Sequence, residues 1–303
     1  MEIRIVLRGA VAGFVAGVLG FVFTRIFAET WIDKAIDYET GRDDAIKAVA
    51  KAAGITLSPD GSEYFSRTVQ STWGLATGVI AFSTAMGALV AVAYLVLHAR
   101  FGIRPRTLAL LIAGFGFLGV YAVPLCKYPP NPPSIGHSFT VHTRTELYLV
   151  MVGSSLLFLI LAAVLGRRLK PRFGTFYAAI IGAVAFIVAI SIVMGLLPSL
   201  GHLAANKRVA GSLGFGSSAT ETPLPVRNPQ GQIVYPGFPA DVLWKFRFFS
   251  LLAQMLIWSV IGIIFGTLVA RFFNPNAPRP TAPEARAPHE PVGVQPDRGS
   301  APT

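Results

Sequence analysis

Five side chains that could bind a metal cation lie in segments that flank the apolar parts of the chain. They are Glu29, Asp33, His137, His142 and Asp241. Carboxylate oxygens and imidazole nitrogens both serve as ligands of first-row divalent metals. The spacing of these residues matches no compact metal-binding motif, so a role as ordinary polar loop residues stays open. We predict that they gather a divalent cation at one face of the protein.

Acidic side chains recur at four-residue spacing just after the first apolar stretch. Glu29, Asp33 and Asp37 follow Arg25 in this pattern. Residues four apart lie on one face of a helix, so a helix through this segment would carry an anionic ridge. The alternative is an interfacial helix with solvated charges and with Trp31 anchored in the lipid headgroup layer.

Acid and base chemistry is a second interpretation of the polar residues. His137, His142 and Glu146 follow one another closely and could transfer protons in a membrane enzyme that acts on a lipid or its headgroup. The sequence offers no nucleophile motif to accompany them, and it contains no glycine-rich P-loop that would indicate an ATP motor. We therefore expect a protein that is not an enzyme.

Four prolines crowd the segment LCKYPPNPPSIGH, from Leu125 to His137. Proline lacks a backbone N–H and breaks helices, so this segment must run extended or turn. Its shape is thereby restricted, and we expect it to matter for transport or for partner association. The residues that we assign to this motif are Lys127, Tyr128, Pro129, Asn131, Pro132 and Pro133.

A polar stripe enters the last apolar stretch of the chain. Arg247, Ser250, Gln254 and Trp258 follow one another at three- and four-residue steps, so they share one helix face. Stripes of this kind more often join helices than line a path. With Trp244 one turn earlier, Arg247 and Gln254 are our candidates for a polar seam in the bundle.

The elements that must position these residues are six apolar stretches without an acidic residue, lysine, arginine or histidine. They are Gly9 to Thr24, Trp73 to Leu97, Leu108 to Cys126, Leu147 to Gly166, Phe173 to Leu197 and Phe248 to Ala270. A helix of roughly 20 residues spans a hydrocarbon core of about 30 Å. The sequence therefore predicts an all-α polytopic membrane protein with about six transmembrane helices.

Basic residues are distributed unevenly among the segments that join these stretches. The chain carries a net charge of +11, and its short connections near Arg104 and Lys170 hold basic residues alone. By the positive-inside rule these connections and both termini face the cytoplasm, so nucleic acid is not the expected partner. The transmembrane bundle then covers residues 1–273, with outer loops at 29–72, 127–146 and 198–245. Residues 274–303 form a proline-rich tail that we expect to be disordered and cytoplasmic.

Glycine repeats predict where helices approach closely. Gly9, Gly13 and Gly17 recur every fourth residue of the first stretch, and two further pairs repeat the spacing. Small residues at this spacing let helix backbones pack tightly. We expect packing between helices of one chain rather than a dimerisation motif. The further pairs are Gly74 with Gly78 and Gly262 with Gly266.

Four sequence motifs resemble the probable cobalt transporter subunit CbtA family of bacterial membrane proteins. They are LRGAVAGFVAG with FAETWIDKAIDYE, QSTWGLATG, KYPPNPPSIG and GFPADVLWKFR. The resemblance implies a multi-pass protein of the bacterial inner membrane that acts in cobalt uptake for cobalamin synthesis. It further implies a small one-span partner with a His-bearing terminus (CbtB-like). The transported ion would be Co²⁺, with no bound cofactor.

One departure from the family pattern concerns the first outer loop. Many similar proteins carry a histidine-rich run there, whereas Glu39 to Arg67 contains no histidine. High-affinity capture by this loop is therefore not expected. An accessory or assembly subunit that does not itself transport is the main alternative, and a homo-oligomer within the lipid bilayer stays open.

Overall fold

A computed structural model describes residues 2–54, 69–98, 100, 102–133, 135–213 and 221–273. The predicted tail at 274–303 lies outside these residues. The helices are α1 (Glu2–Phe27), α2 (Glu29–Ala52), α3 (Leu75–Leu97), α4 (Pro105–Phe117), α5 (Val123–Lys127), α6 (Val141–Leu196), α7 (Ala204–Leu213) and α8 (Ala240–Phe273). Strands β1 (Val226–Arg227) and β2 (Ile233–Tyr235) form an antiparallel pair that the sequence did not predict.

The structure confirms an all-α polytopic membrane protein. Within the described residues, five helical segments are long and apolar enough to cross a membrane. The longest of them contains both the fourth and the fifth apolar stretch. Its backbone leaves helical geometry at Gly174, where φ is 75°, and a Cβ on Gly182 would lie 3.0 Å from the Ala162 carbonyl oxygen. The two stretches therefore fold back on each other as a helical hairpin.

The core of the bundle is formed by α1, α3, α4 and α8. A Cβ atom on Gly9 would clash with the Gly87 carbonyl, and one on Gly13 would clash with the carbonyl of Ser83. These backbones approach too closely for any larger residue. The packing role that the glycine repeat of the first stretch predicted is confirmed, and its contact is with α3.

The two other glycine pairs differ from each other. Gly262 and Gly266 pack against α4, where a Cβ on Gly262 would lie 3.0 Å from that of Ala113. The same expectation for Gly74 and Gly78 is wrong, because a Cβ on Gly78 would meet nothing within 4 Å. In α3 the close approach is instead at Gly87. Gly87 lies nine residues after Gly78, on the opposite face of the helix.

A wide helical turn interrupts the third apolar stretch. Residues Leu118–Ala122 form a π-helical turn between α4 and α5. Pro124 has no N–H to donate to the preceding turn, so carbonyl groups there need other donors. The Tyr148 hydroxyl donates to the Val120 carbonyl at 2.9 Å, and the Ser155 hydroxyl donates to that of Gly119. These bonds fasten the first half of α6 to this stretch.

The two ends of the bundle are built differently. At one end α2, the loop 128–137 and the segment 221–239 pack together around Tyr38, Ile135 and Phe238. We call this assembly the cap. At the other end, Arg8 lies 4.4 Å from the Phe272 ring and His98 stacks on Phe273 at 4.4 Å. Both terminal helices and the connection that follows α3 therefore meet at this end of the bundle.

Candidate functional site

The acidic residues of the predicted anionic ridge all lie on α2. Helix α1 ends at Phe27 and helix α2 begins at Glu29, so Arg25 belongs to a different helix from the acidic residues. Glu29 is buried and forms an ion pair of 3.0 Å with Arg25. Asp33 and Asp37 remain on the exposed face of α2. Glu29 thus joins helices, while the exposed part of the ridge consists of the two aspartates.

The remaining predicted ligands are distributed over the cap and its edge. His142 pairs with Glu146 at 3.3 Å, and both side chains are exposed. Asp241 is exposed in the first turn of α8, where a carboxylate favours the positive end of the helix. His137 is partly buried and stacks on Phe139. Within the described residues, no three His, Cys, Asp or Glu side chains are arranged to hold a metal ion.

The proline-rich loop is joined directly to α8. It contains no helix or strand from Tyr128 to His137 among its described residues, as predicted. Arg247 of α8 donates to the Pro130 carbonyl at 3.0 Å and to the Asn131 amide oxygen at 2.8 Å. We call these two bonds the Arg247 joint. It links two motifs that are more than a hundred residues apart in the sequence.

Other motif residues hold the loop and its surroundings in place. Tyr128 is buried, donates to the Pro198 carbonyl at 2.8 Å, and lies 5.9 Å from the Lys127 ammonium group. Pro132 is buried and Pro133 is exposed. The backbone N–H of Ile135 donates to the Pro132 carbonyl at 3.1 Å.

The polar stripe of α8 divides along its length. Arg247 joins the loop, Gln254 is partly buried, and Trp258 packs in the core against Gly116. Trp244 is largely exposed and packs on Phe248 with ring centroids 5.4 Å apart. The stripe therefore joins α8 to the proline-rich loop at Arg247 and fills the bundle core at Trp258.

A buried carboxylate that was not predicted from the sequence organises the cap. Glu221 is only 2% exposed. One of its oxygens accepts hydrogen bonds from the backbone N–H of His137 at 3.0 Å and from the Thr140 hydroxyl at 3.1 Å. The other oxygen accepts a hydrogen bond from the side-chain amide of Asn206 at 2.8 Å. Its neighbours in the sequence show no helical or strand periodicity. No local signal would have identified it.

A small cleft lies between α2 and this buried carboxylate. It has a volume of about 70 Å³ and is lined by Tyr38, Glu39, Arg42, Asp43, Ile135, Gly136, His137, Glu221 and Pro223. Three carboxylates and one guanidinium give the lining a negative formal charge. We call this feature the acidic cleft.

The surroundings of the His137 imidazole at the acidic cleft favour its neutral form. Burial lowers the pKa of His137 below its ordinary value, the Glu221 carboxylate opposes this change, and Arg42 and Arg144 add to it. A neutral imidazole retains a lone pair that can bind a metal. The cleft therefore combines negative charge, which attracts cations, with a nitrogen donor.

Comparison with known proteins identifies the family of the chain. No curated protein and no solved structure matches the chain. A family model described as a probable cobalt transporter subunit (CbtA) matches residues 2–270, which contain the bundle, the cap and the acidic cleft. The chain therefore belongs to the CbtA family of probable cobalt transporter subunits.

Proposed function

We propose that this chain is a bacterial inner-membrane subunit that takes up Co²⁺ for cobalamin synthesis. The observation that carries the proposal is the family match, which extends over nearly the whole chain. The cap faces outward in this proposal, and both termini face the cytoplasm, because the connections that hold only basic residues lie at the opposite end from the cap.

The acidic cleft is where we propose that the cation first collects. Negative charge in a cleft raises the local concentration of cations, and salt screens this effect over about 8 Å at physiological ionic strength. Glu39, Asp43 and Glu221 supply that charge beside the neutral imidazole of His137. The exposed aspartates of the ridge, Asp33 and Asp37, would act at longer range on the same face.

A partner subunit completes the proposed uptake system. The CbtA family description names a subunit, and a small one-span partner with a His-bearing terminus would supply further imidazole ligands at the cap. The Arg247 joint, where the loop meets α8, would hold the cap in place while the cation enters. Uptake by this chain alone in sealed vesicles separates a transporting subunit from an accessory one.

Orientation can be tested by labelling single cysteines with a membrane-impermeant reagent. With Cys126 replaced by serine, Asp33→Cys and Arg227→Cys in intact cells should react, whereas Arg100→Cys and Lys170→Cys should not. All four positions are exposed, so accessibility across the membrane decides the result. Reaction at positions 100 and 170 alone would invert the proposed topology.

Growth of a deletion strain tests the function itself. At limiting cobalt the strain should grow poorly without cobalamin, and either added cobalamin or higher cobalt should restore growth. Complementation with Glu39→Gln plus Asp43→Asn should require more cobalt than complementation with wild type. The matched control, Asp33→Asn plus Asp37→Asn, removes the same charge from the same helix and should have a smaller effect. Cobalt-independent growth of the deletion strain would contradict the proposal.

A further inference from the structure

A second cavity lies beside the first half of the proline-rich loop, whereas the acidic cleft lies beside its second half. Its volume is about 400 Å³. It is bounded by the last turns of the third apolar stretch, by the loop and by the first turns of α6. The lining residues are Tyr121, Leu125, Tyr128, Pro129, Pro130, Asn131, Val141, Arg144, Thr145, Tyr148 and Leu200. Most of this wall is apolar or aromatic.

Two polar groups of this wall have unused hydrogen-bonding capacity. The Arg144 guanidinium donates one bond of 3.1 Å, to the His137 carbonyl, and its Nε has no partner within the described part of the chain. The Tyr121 hydroxyl is also buried without a partner there. Leaving such groups unpaired costs stability. A ligand that offers acceptor oxygens would satisfy both.

Charge at the cavity favours an anion. Its lining contains no carboxylate among the described residues. A second guanidinium, that of Arg247, lies next to the cavity and donates to two of its lining residues, Pro130 and Asn131. Glu146 lies two residues from Arg144 on the helix, so it points to another side, where it pairs with His142. A hydrated metal cation is therefore a poor occupant.

The position of the cavity indicates where the anion comes from. It lies where two membrane-spanning segments end, at the level where tyrosines meet the lipid headgroups. We propose that it binds an anionic phospholipid, with the phosphate oxygens at Arg144 and Tyr121. The glycerol and the upper acyl chain lie against Leu125, Val141 and Leu200. This site is separate from the acidic cleft.

Binding to the purified full chain in detergent tests this assignment. Phosphatidylglycerol, diacylglycerol and inorganic phosphate are titrated, and binding is followed by native mass spectrometry and by the shift in melting temperature. We expect phosphatidylglycerol to bind at least about tenfold more tightly than the other two, since only it combines the charged hydrogen bonds with the apolar contact. Arg144→Gln should weaken its binding about tenfold.

Two further variants keep the result interpretable. Arg227→Gln removes the same charge from an exposed site of the cap segment and should leave binding unchanged. Tyr121→Phe removes only the unpartnered hydroxyl and should weaken binding about fivefold, which decides the matter if Arg144→Gln does not fold. Equal binding of diacylglycerol, or no effect in either cavity variant, would overturn the proposal. Tight binding of inorganic phosphate would do so too, because it would indicate a small-anion site.

Discussion

The bundle core and the cap are held together by different physical means. In the core, α1 and α3 touch backbone to backbone at Gly9, Gly13 and Gly87, among buried apolar side chains. In the cap, Glu221 and the Arg247 joint connect segments that are distant in sequence through directed hydrogen bonds. The contact between α1 and α3 leaves no room for a side chain at these glycines, whereas the packing of the cap depends on the identity of a few polar atoms.

This difference separates scaffold from function. Close backbone packing gives a rigid, dry frame in lipid, where helix association relies on van der Waals contact. Hydrogen bonds and charges at the aqueous face can instead attract and orient a cation. We infer that changes in the core act on folding, while changes in the cap act on cobalt uptake per molecule.

The largest expected effect is in the core, at Gly87. Gly87→Ala places a methyl group onto the carbonyl of Gly9 and should destabilise the protein by about 3 kcal/mol, because the two backbones must separate. Gly78→Ala is the control within the same helix, since a methyl there meets nothing within 4 Å. Melting temperatures of the two purified variants give the comparison. Equal stability would mean that the close approach does not hold the bundle.

The next effect is in the cap, at Glu221. Glu221→Gln replaces one acceptor oxygen with a donor that faces groups which already donate, and should cost about 2 kcal/mol. Glu146→Gln is the matched change at an exposed ion pair and should cost no more than about 0.5 kcal/mol. Thermal unfolding in detergent measures both. A similar loss in the two variants would show that the buried carboxylate does not organise the cap.

A smaller effect is expected at the Arg247 joint. Asn131→Ala removes the 2.8 Å bond from Arg247 and should cost about 1.5 kcal/mol, the usual value for a bond to a charged group. Pro133→Ala, at an exposed position of the same loop, should be nearly neutral. Partial proteolysis of the cap in membranes would report the loosening. If the two variants are cleaved alike, the joint does not restrain the loop.

The smallest effect is the pH dependence contributed by His137. Its pKa is lowered in the folded state, so the unfolded chain binds the proton more readily as pH falls below about 6.5. Stability should therefore decrease from pH 6.5 downward until the lowered pKa is reached. In His137→Gln this decrease should be shallower, while the backbone bonds of residue 137 remain. Identical pH profiles of the melting temperature would remove His137 from the account.

The core could be predicted from sequence better than the cap. Apolar length and four-residue glycine spacing are local signals, so the membrane-spanning helices and the faces at Gly13 and Gly262 were predicted correctly. The prediction for Gly78 was wrong, because four-residue spacing alone does not show which face of a helix meets a neighbouring helix. Glu221 and the partner of Arg247 were missed because their contacts span 84 and 116 residues of sequence, and no periodic pattern encodes such a distance.

The most direct test of the account is the initial rate of radioactive cobalt accumulation, divided by the amount of protein in the membrane. Wild type, Asn131→Ala and Gly78→Ala are compared in the deletion strain at limiting cobalt. The account predicts a lower rate per molecule for Asn131→Ala and an unchanged rate for Gly78→Ala. Equal rates per molecule for all three proteins would contradict the assignment of cobalt uptake to the cap.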